Sequence, residues 1–108
     1  MSNSVFQGVI QQLKDVSGRV FGVIDSEGCV ISCTESALLG ERWGDAAMKI
    51  TGSNDQTVTF GQKTFRAILN SVNLFEYAAF CSGDDEEARM LCNMAYIALN
   101  NAKAYYEE

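Results

Sequence analysis

Any chemistry in this chain has to come from a short list of side chains. Cys29, Cys33, Cys81 and Cys92 are its thiols, Asp84, Asp85, Glu86 and Glu87 its densest carboxylates, and Arg42 and Arg66 candidate anion holders. Histidine is absent, which removes the commonest general base and the commonest zinc ligand together. Cys29 and Cys33 are spaced C-x-x-x-C, not C-x-x-C. On one strand that spacing puts both thiols on the same face roughly 13 Å apart, too far for a disulfide or a shared metal. Four acids packed into one helical turn point in different directions, and no glycine or ligand spacing resembles a calcium loop. No GxxxxGK, GxGxxG or GxSxG run is present. A cysteine or serine nucleophile would need a lysine or carboxylate base, and the sequence places none beside one. The expectation is a protein that is not an enzyme, with no cofactor and no metal site.

The elements that position these residues fit one domain, residues 1–108, of which 47% is hydrophobic. The net charge is −6. An acidic domain has no counterion release to gain from a phosphate backbone, so direct nucleic-acid binding is not expected. No apolar run approaches the roughly 18 residues of a membrane span. The start, Met1-Ser2-Asn3-Ser4, is uncharged and unlike a signal peptide. Both points predict a cytoplasmic protein whose cysteines are small buried hydrophobes kept reduced.

The organising stretch is residues 20–33. Two β-rich runs, 20–24 and 29–33, flank Asp25-Ser26-Glu27-Gly28, where Asp25 can bond its own turn and Gly28 can take the positive φ of a type I turn plus bulge. Before it, Ser4 is placed to cap a helix whose apolar face is Val5, Phe6, Val9, Ile10, Leu13 and Val16, ended by Ser17-Gly18. After it, Thr34-Glu35-Ser36 reads as a capped start to a segment carrying Leu38, Leu39, Trp43, Ala46, Ala47 and Ile50. Gly40 and Gly44 interrupt that segment, which predicts one broken helix or two short ones. Residues 51–55 have loop chemistry.

Runs 57–60 and 63–69 read as strands joined at Gly61-Gln62 by a type II′ turn, with a second turn at residues 70–73. The fifth strand, 74–82, is predicted to put Phe75, Tyr77, Ala79 and Cys81 on one face, with Leu74, Glu76, Ala78 and Phe80 on the other. Both faces are largely apolar, so a central strand is expected. Asp84 with Glu87 resembles a capping box opening the last helix. That helix presents Ala88, Leu91, Cys92, Ala95, Ala98, Leu99, Ala102, Tyr105 and Tyr106. Met90, Met94 and Ile97 widen the apolar surface beyond one stripe. Its length, about 25 residues or roughly 37 Å, exceeds a strand of about eight residues at roughly 27 Å. It reaches Glu107-Glu108 without a stop signal, so the chain is expected to be the N-terminal fragment of a longer protein.

The order helix, two strands, helix, three strands, helix predicts an α+β fold: a five-stranded antiparallel sheet flanked by helices, PAS/GAF-like, with roadblock- and profilin-like modules as near relatives. Strands one and five belong near its middle. The first and last helices should cover one face and the middle segment the other.

The runs Gly22-Val-Ile-Asp-Ser-Glu-Gly-Cys-Val-Ile-Ser32 and Phe75-Glu-Tyr-Ala-Ala-Phe-Cys-Ser-Gly-Asp-Asp-Glu-Glu-Ala88, with a long helix ending near Tyr-Tyr-x-Glu, resemble N-terminal domains of PucR/CdaR-type bacterial transcription regulators, the purine-catabolism and sugar-diacid group. The resemblance implies a sensory domain whose last helix leads toward a DNA-binding part absent from this chain. The sugar-diacid members tend to carry a histidine after a hydrophobic-glycine pair. Here Leu39-Gly40-Glu41-Arg42 leads to Trp43, so diacid specificity does not carry over.

Three functions follow as expectations. In a sensor, a small-molecule effector would sit between the sheet and residues 39–55, lined by Arg42, Trp43, Arg66 and Tyr77, against the plainer reading of core packing and solvated strand faces. In a ligand-free homodimerisation module, Met90, Met94, Ile97 and Tyr105 would form the interface. In a roadblock-like scaffold, the chain would contact a GTPase or other protein.

Overall fold

The computed structural model describes residues 3–106. A helix, α1 (Asn3–Ser17), leads into β1 (Phe21–Asp25) and β2 (Val30–Cys33). A single 3₁₀ turn (Ser36–Leu38) and a short helix, α2 (Gly44–Thr51), follow. Then come β3 (Val58–Phe60), β4 (Lys63–Leu69), β5 (Phe75–Ser82) and the long α3 (Glu86–Tyr106). The strands form one antiparallel sheet in the order β2-β1-β5-β4-β3. The fold is the α+β arrangement expected, with β5 at the centre.

The sheet is buried on both faces. On one, α1 and α3 lie over Phe21, Val23, Ile68, Ala79 and Cys81, contributing Phe6, Ile10, Ala88, Cys92, Ala95 and Leu99. On the other, Ala46 and Ile50 of α2 lie over Ile24, Val30, Val58, Phe65, Ala78 and Phe80. Small residues on α3 (Ala88, Cys92, Ala95) let that helix sit close to the strands. The predicted stripe of α1 is narrower than expected. Phe6 and Ile10 are buried, Val9 and Leu13 are half-buried, and Val16 is 89% exposed.

The first hairpin forms as its sequence predicts. Asp25 Oδ1 accepts the N–H groups of Glu27 and Cys29, each at 3.0 Å. The Gly28 N–H bonds the Asp25 carbonyl at 3.0 Å, with Gly28 at φ +89°. The register shifts by one between Val23 and Ile24.

Elsewhere local chemistry departs from expectation. The first helix is already under way at Asn3, so Ser4 is not its cap. Thr34 turns its Oγ1 to the Phe21 N–H at 3.1 Å, and Glu35 precedes the 3₁₀ turn with no side-chain cap. The middle segment does form two short pieces, as its two glycines predict, and Leu39 between them is 46% exposed. Gly61 and Gln62 both have positive φ, +59° and +61°, so their turn is type I′ and not II′.

The last two departures involve β5 and α3. A bulge opposite Ile68 and Leu69 leaves Glu76 unpaired. It inverts the alternation before it: Phe75 packs with Ala78 and Phe80, and Glu76 turns to Lys103 on α3 at 3.0 Å. The cap of α3 is Asp85, not the Asp84 and Glu87 pair, because Asp85 Oδ1 accepts the Ala88 N–H at 3.3 Å. Arg19 explains the one-residue difference. Its guanidinium grips both Asp85 oxygens at 3.0 Å and reaches Glu87 at 3.0 Å and the Ser82 carbonyl at 2.9 Å.

Candidate functional site

Residues 41–43 set up the site. They run beside the start of β2 as a short extra ladder. The Val30 N–H bonds the Glu41 carbonyl at 2.9 Å, Cys29 bridges Arg42, and the Trp43 N–H bonds the Gly28 carbonyl at 2.8 Å. A Cβ on Gly28 would sit 2.4 Å from the Trp43 carbonyl oxygen, so only glycine permits this approach. The hairpin turn thereby fixes where Trp43 stands as α2 begins.

The Trp43 ring lies edge-on to Phe80 at 4.9 Å and to Phe65 at 6.3 Å. Its Nε1 donates to Glu41 Oε1 at 3.0 Å. The Lys63 ammonium lies 4.8 Å from the ring centroid, within cation–π range. In front of the ring opens a cleft of about 470 Å³, lined by Arg42, Trp43, Asp45, Phe60, Lys63 and Phe65 among others. Arg42 is loosely held, with a single 3.9 Å approach to Glu27 and both side chains 76% exposed. Phe60 is 40% exposed on the edge strand, and Lys49 lies 5.8 Å from its ring.

The four residues expected to line one pocket divide between the two faces of the sheet. Arg42 and Trp43 meet in this cleft. Arg66 points to the α3 side, where its guanidinium stacks 3.9 Å over the Tyr96 ring and donates to Asn93 Oδ1 at 2.8 Å. It borders a second cleft of about 480 Å³ beneath the loop after α2, shared with Tyr96, Phe75 and Asp55. Tyr77 is packed edge-on to Phe6 at 5.2 Å in the α1–α3 core. Arg66 therefore meets residues 50–55 of the middle segment, as expected, but in a cleft separate from that of Arg42 and Trp43. Lys63 and Phe60, which complete the cleft, were read only as strand residues. Their signal was the turn at 61–62, which brings them under the start of α2.

The residues expected at a dimer contact lie along one exposed side of α3: Met90 57%, Met94 50%, Ile97 57% and Tyr105 73% exposed. The opposite side of the same helix is core.

Three of the four thiols are poorly placed for nucleophilic chemistry. Burial pushes the Cys81 thiol up to about 11 and raises Cys33 and Cys92 as well, and a protonated thiol is neither nucleophile nor ligand. Among the described residues no three of the Cys, Asp and Glu side chains gather as a metal site. No helix among them is long and apolar enough to cross a membrane.

The sequence matches no protein-family model and no curated protein. Solved structures do resemble the fold. Myxococcus xanthus MglB superposes with a TM-score of 0.61 at 14% identity, covering 99% of this chain and 93% of that one. A chain in the crystal structure of the E. coli DhaR(N)–DhaL complex gives 0.54 at 11% identity over 96% of this chain, which spans 49% of that chain's length. At these identities the likeness is one of fold. The finer resemblance to PucR/CdaR regulators rests on the sequence motifs alone.

Proposed function

We propose that this chain is a non-enzymatic, cytoplasmic signalling module that self-associates as a homodimer and senses a small effector in the Trp43 cleft. It would serve a bacterial transcription regulator whose DNA-reading part lies outside this chain. The observation that carries the reading is the uncovered side of α3. Met90, Met94 and Ile97 recur at helical spacing and are at least half exposed, on a helix whose other side is fully used by the core. A contiguous apolar stripe of this kind marks a contact surface. Two copies related by a two-fold axis would each cover the other's stripe. The likeness of fold to part of a chain in the E. coli DhaR(N)–DhaL structure supports a regulatory setting.

Native mass spectrometry tests it. The expected result is a dimer, with Met94→Glu plus Ile97→Glu weakening association at least tenfold while the melting temperature is kept. A monomer at every concentration overturns self-association through α3.

The roadblock-like scaffold has an observation of its own. The edge strand β3 has three residues, exposes Phe60, and lies beside α2, where Met48 is 74% exposed. A partner protein could pair with that edge. A monomer that binds a different protein through this edge, blocked by Phe60→Lys, would favour the scaffold over the dimer. The fold likeness to MglB suits this reading equally.

A further inference from the structure

We propose that the Trp43 cleft takes a small aromatic carboxylate. The inference rests on reading the cleft as the module's effector site, and it adds the chemical class of the effector.

The first argument is charge. The chain carries a net charge of −6 and only eight lysines and arginines. Three of those eight, Arg42, Lys49 and Lys63, border one cleft or its rim. Of the other five, Arg19, Arg89 and Lys103 are spent on ion pairs and Arg66 on Asn93 and the Tyr96 ring. Arg42 has only its distant approach to Glu27, and Lys63 meets a tryptophan face and the Gly61 carbonyl at 3.4 Å. Lys49 is held by the Thr59 carbonyl at 2.6 Å, so the weakly engaged cations at this hollow are Arg42 and Lys63, and they offer an anion a place the acidic surface otherwise repels.

The second argument is shape. Trp43, Phe60 and Phe65 line the hollow. Aromatic walls with a few placed polar groups suit a flat apolar body. A volume of about 470 Å³ is at the small end for organic ligands.

The third argument selects the anion. Arg42, Lys49 and Lys63 at the cleft and its rim face Asp45 in the lining, Glu27 3.9 Å from Arg42 and Glu41 on the Trp43 Nε1, so no surplus of positive charge is present for a doubly charged anion. A single carboxylate, which Arg42 can meet with its planar fork in exchange for the distant Glu27, asks least of that balance.

Trp43 is the sole tryptophan, so fluorescence excited selectively at tryptophan, beyond the tyrosine absorption, reports on this cleft. The experiment titrates the intact protein with phenylacetate and, in parallel, with its neutral isostere phenylacetamide, recording native mass spectra of the same sample. Expected is a saturable change in Trp43 emission with phenylacetate, with half-saturation on the order of 1–10 mM for so small a ligand. Phenylacetamide should bind at least about tenfold more weakly, and added salt should weaken the acid alone. Arg42→Gln, at an exposed position, should weaken phenylacetate about tenfold or more without changing the melting temperature, and Lys63→Gln, at a half-buried one over the Trp43 ring, should weaken it by a similar factor. Equal binding of acid and amide overturns the carboxylate class and leaves the cleft as a ligand site. No saturable response to either overturns the site itself. The mass spectrum judges self-association separately, because a dimer that ignores phenylacetate sinks only this inference.

Discussion

At the scale of single residues, Arg19 decides more than its neighbours in sequence suggest. It follows the helix-ending Gly18 and precedes β1, and its head joins three things: the cap of α3, the second acid of that helix, and the carbonyl of Ser82 at the end of β5. The four acids at residues 84–87 were legible as the start of a helix. That one of them needed a cation from 66 residues away was not, since local spacing cannot report a contact closed by the fold. The pairing has a pH signature. The bond from Arg19 holds the Asp85 carboxyl below its ordinary value of 3.8. The unfolded chain therefore binds a proton at this site at a higher pH than the folded one. The stabilisation is fully present above the unfolded value and is lost as pH falls through the lowered folded value. Asp85→Asn keeps an oxygen for the Ala88 N–H but removes the charge. The expected outcome, from urea midpoints at pH 7 and pH 3, is a variant weaker than the natural protein at pH 7 with a smaller loss on acidification. Equal losses in the two proteins would show that Arg19 and Asp85 contribute nothing as an ion pair.

At the scale of elements, two hairpins use one device. Asp25 and Asn70 each accept two N–H groups in their own turn, from positions two and four residues on, and each carbonyl accepts the N–H three residues on. The left-handed position is Gly28 in one turn and Asn73, at φ +62°, in the other. Asp25→Ala and Asn70→Ala should each cost about 1–2 kcal/mol, the usual worth of a side-chain cap serving otherwise unpaired N–H groups. Their effects should add in a double variant, because the turns share no partner. The two left-handed sites should then differ sharply. Asn73→Ala strains only its own backbone. Gly28→Ala also drives a methyl into the Trp43 carbonyl and should lose at least about 2 kcal/mol more. Chemical denaturation of the four single variants and the double variant checks both expectations. These turns were readable because their signals are local. The Glu76 bulge was not, because it exists only relative to the partner strand, and it moved Phe75 to the face opposite the one its parity implied. Gly22 is similar. It is invisible as a signal in sequence, yet the Phe80 ring lies over it so closely that a Cβ there would be 2.4 Å from the ring. Gly22→Ala should lower stability by about 2–3 kcal/mol through overpacking.

At the scale of the whole molecule, the sheet divides the protein into two cores with different contents. The α1–α3 side holds Cys81 and Cys92 among small residues under a long helix. The α2 side holds Cys33 among aromatic rings under a helix of eight residues. The central place of β5 was legible from its two apolar faces. The site was legible only in part, since Trp43 and Arg42 stood out by type, while Lys63 and Phe60 acquired meaning once β3 and β4 folded back under α2. The cysteines turn this division into a test. Cys33, Cys81 and Cys92 are at most 2% exposed, their thiols are raised by burial, and Cys92 also donates weakly to the carbonyls of Thr64 and Ala79 at 3.5 and 3.6 Å. Cys29, in the short ladder behind the Trp43 cleft, is partly exposed. Iodoacetamide at pH 8 should therefore label one site quickly in the native state and four in urea. The three buried thiols should react only as fast as the protein opens. Because α2 is short and is helped over its core only by Leu38 and Trp43 from the segment before it, Cys33 should be labelled before Cys81 and Cys92 as urea is added below the midpoint. Simultaneous labelling of all three would mean that the two cores open as one cooperative unit, and that the α2 side with its cleft is no softer than the side held by α3.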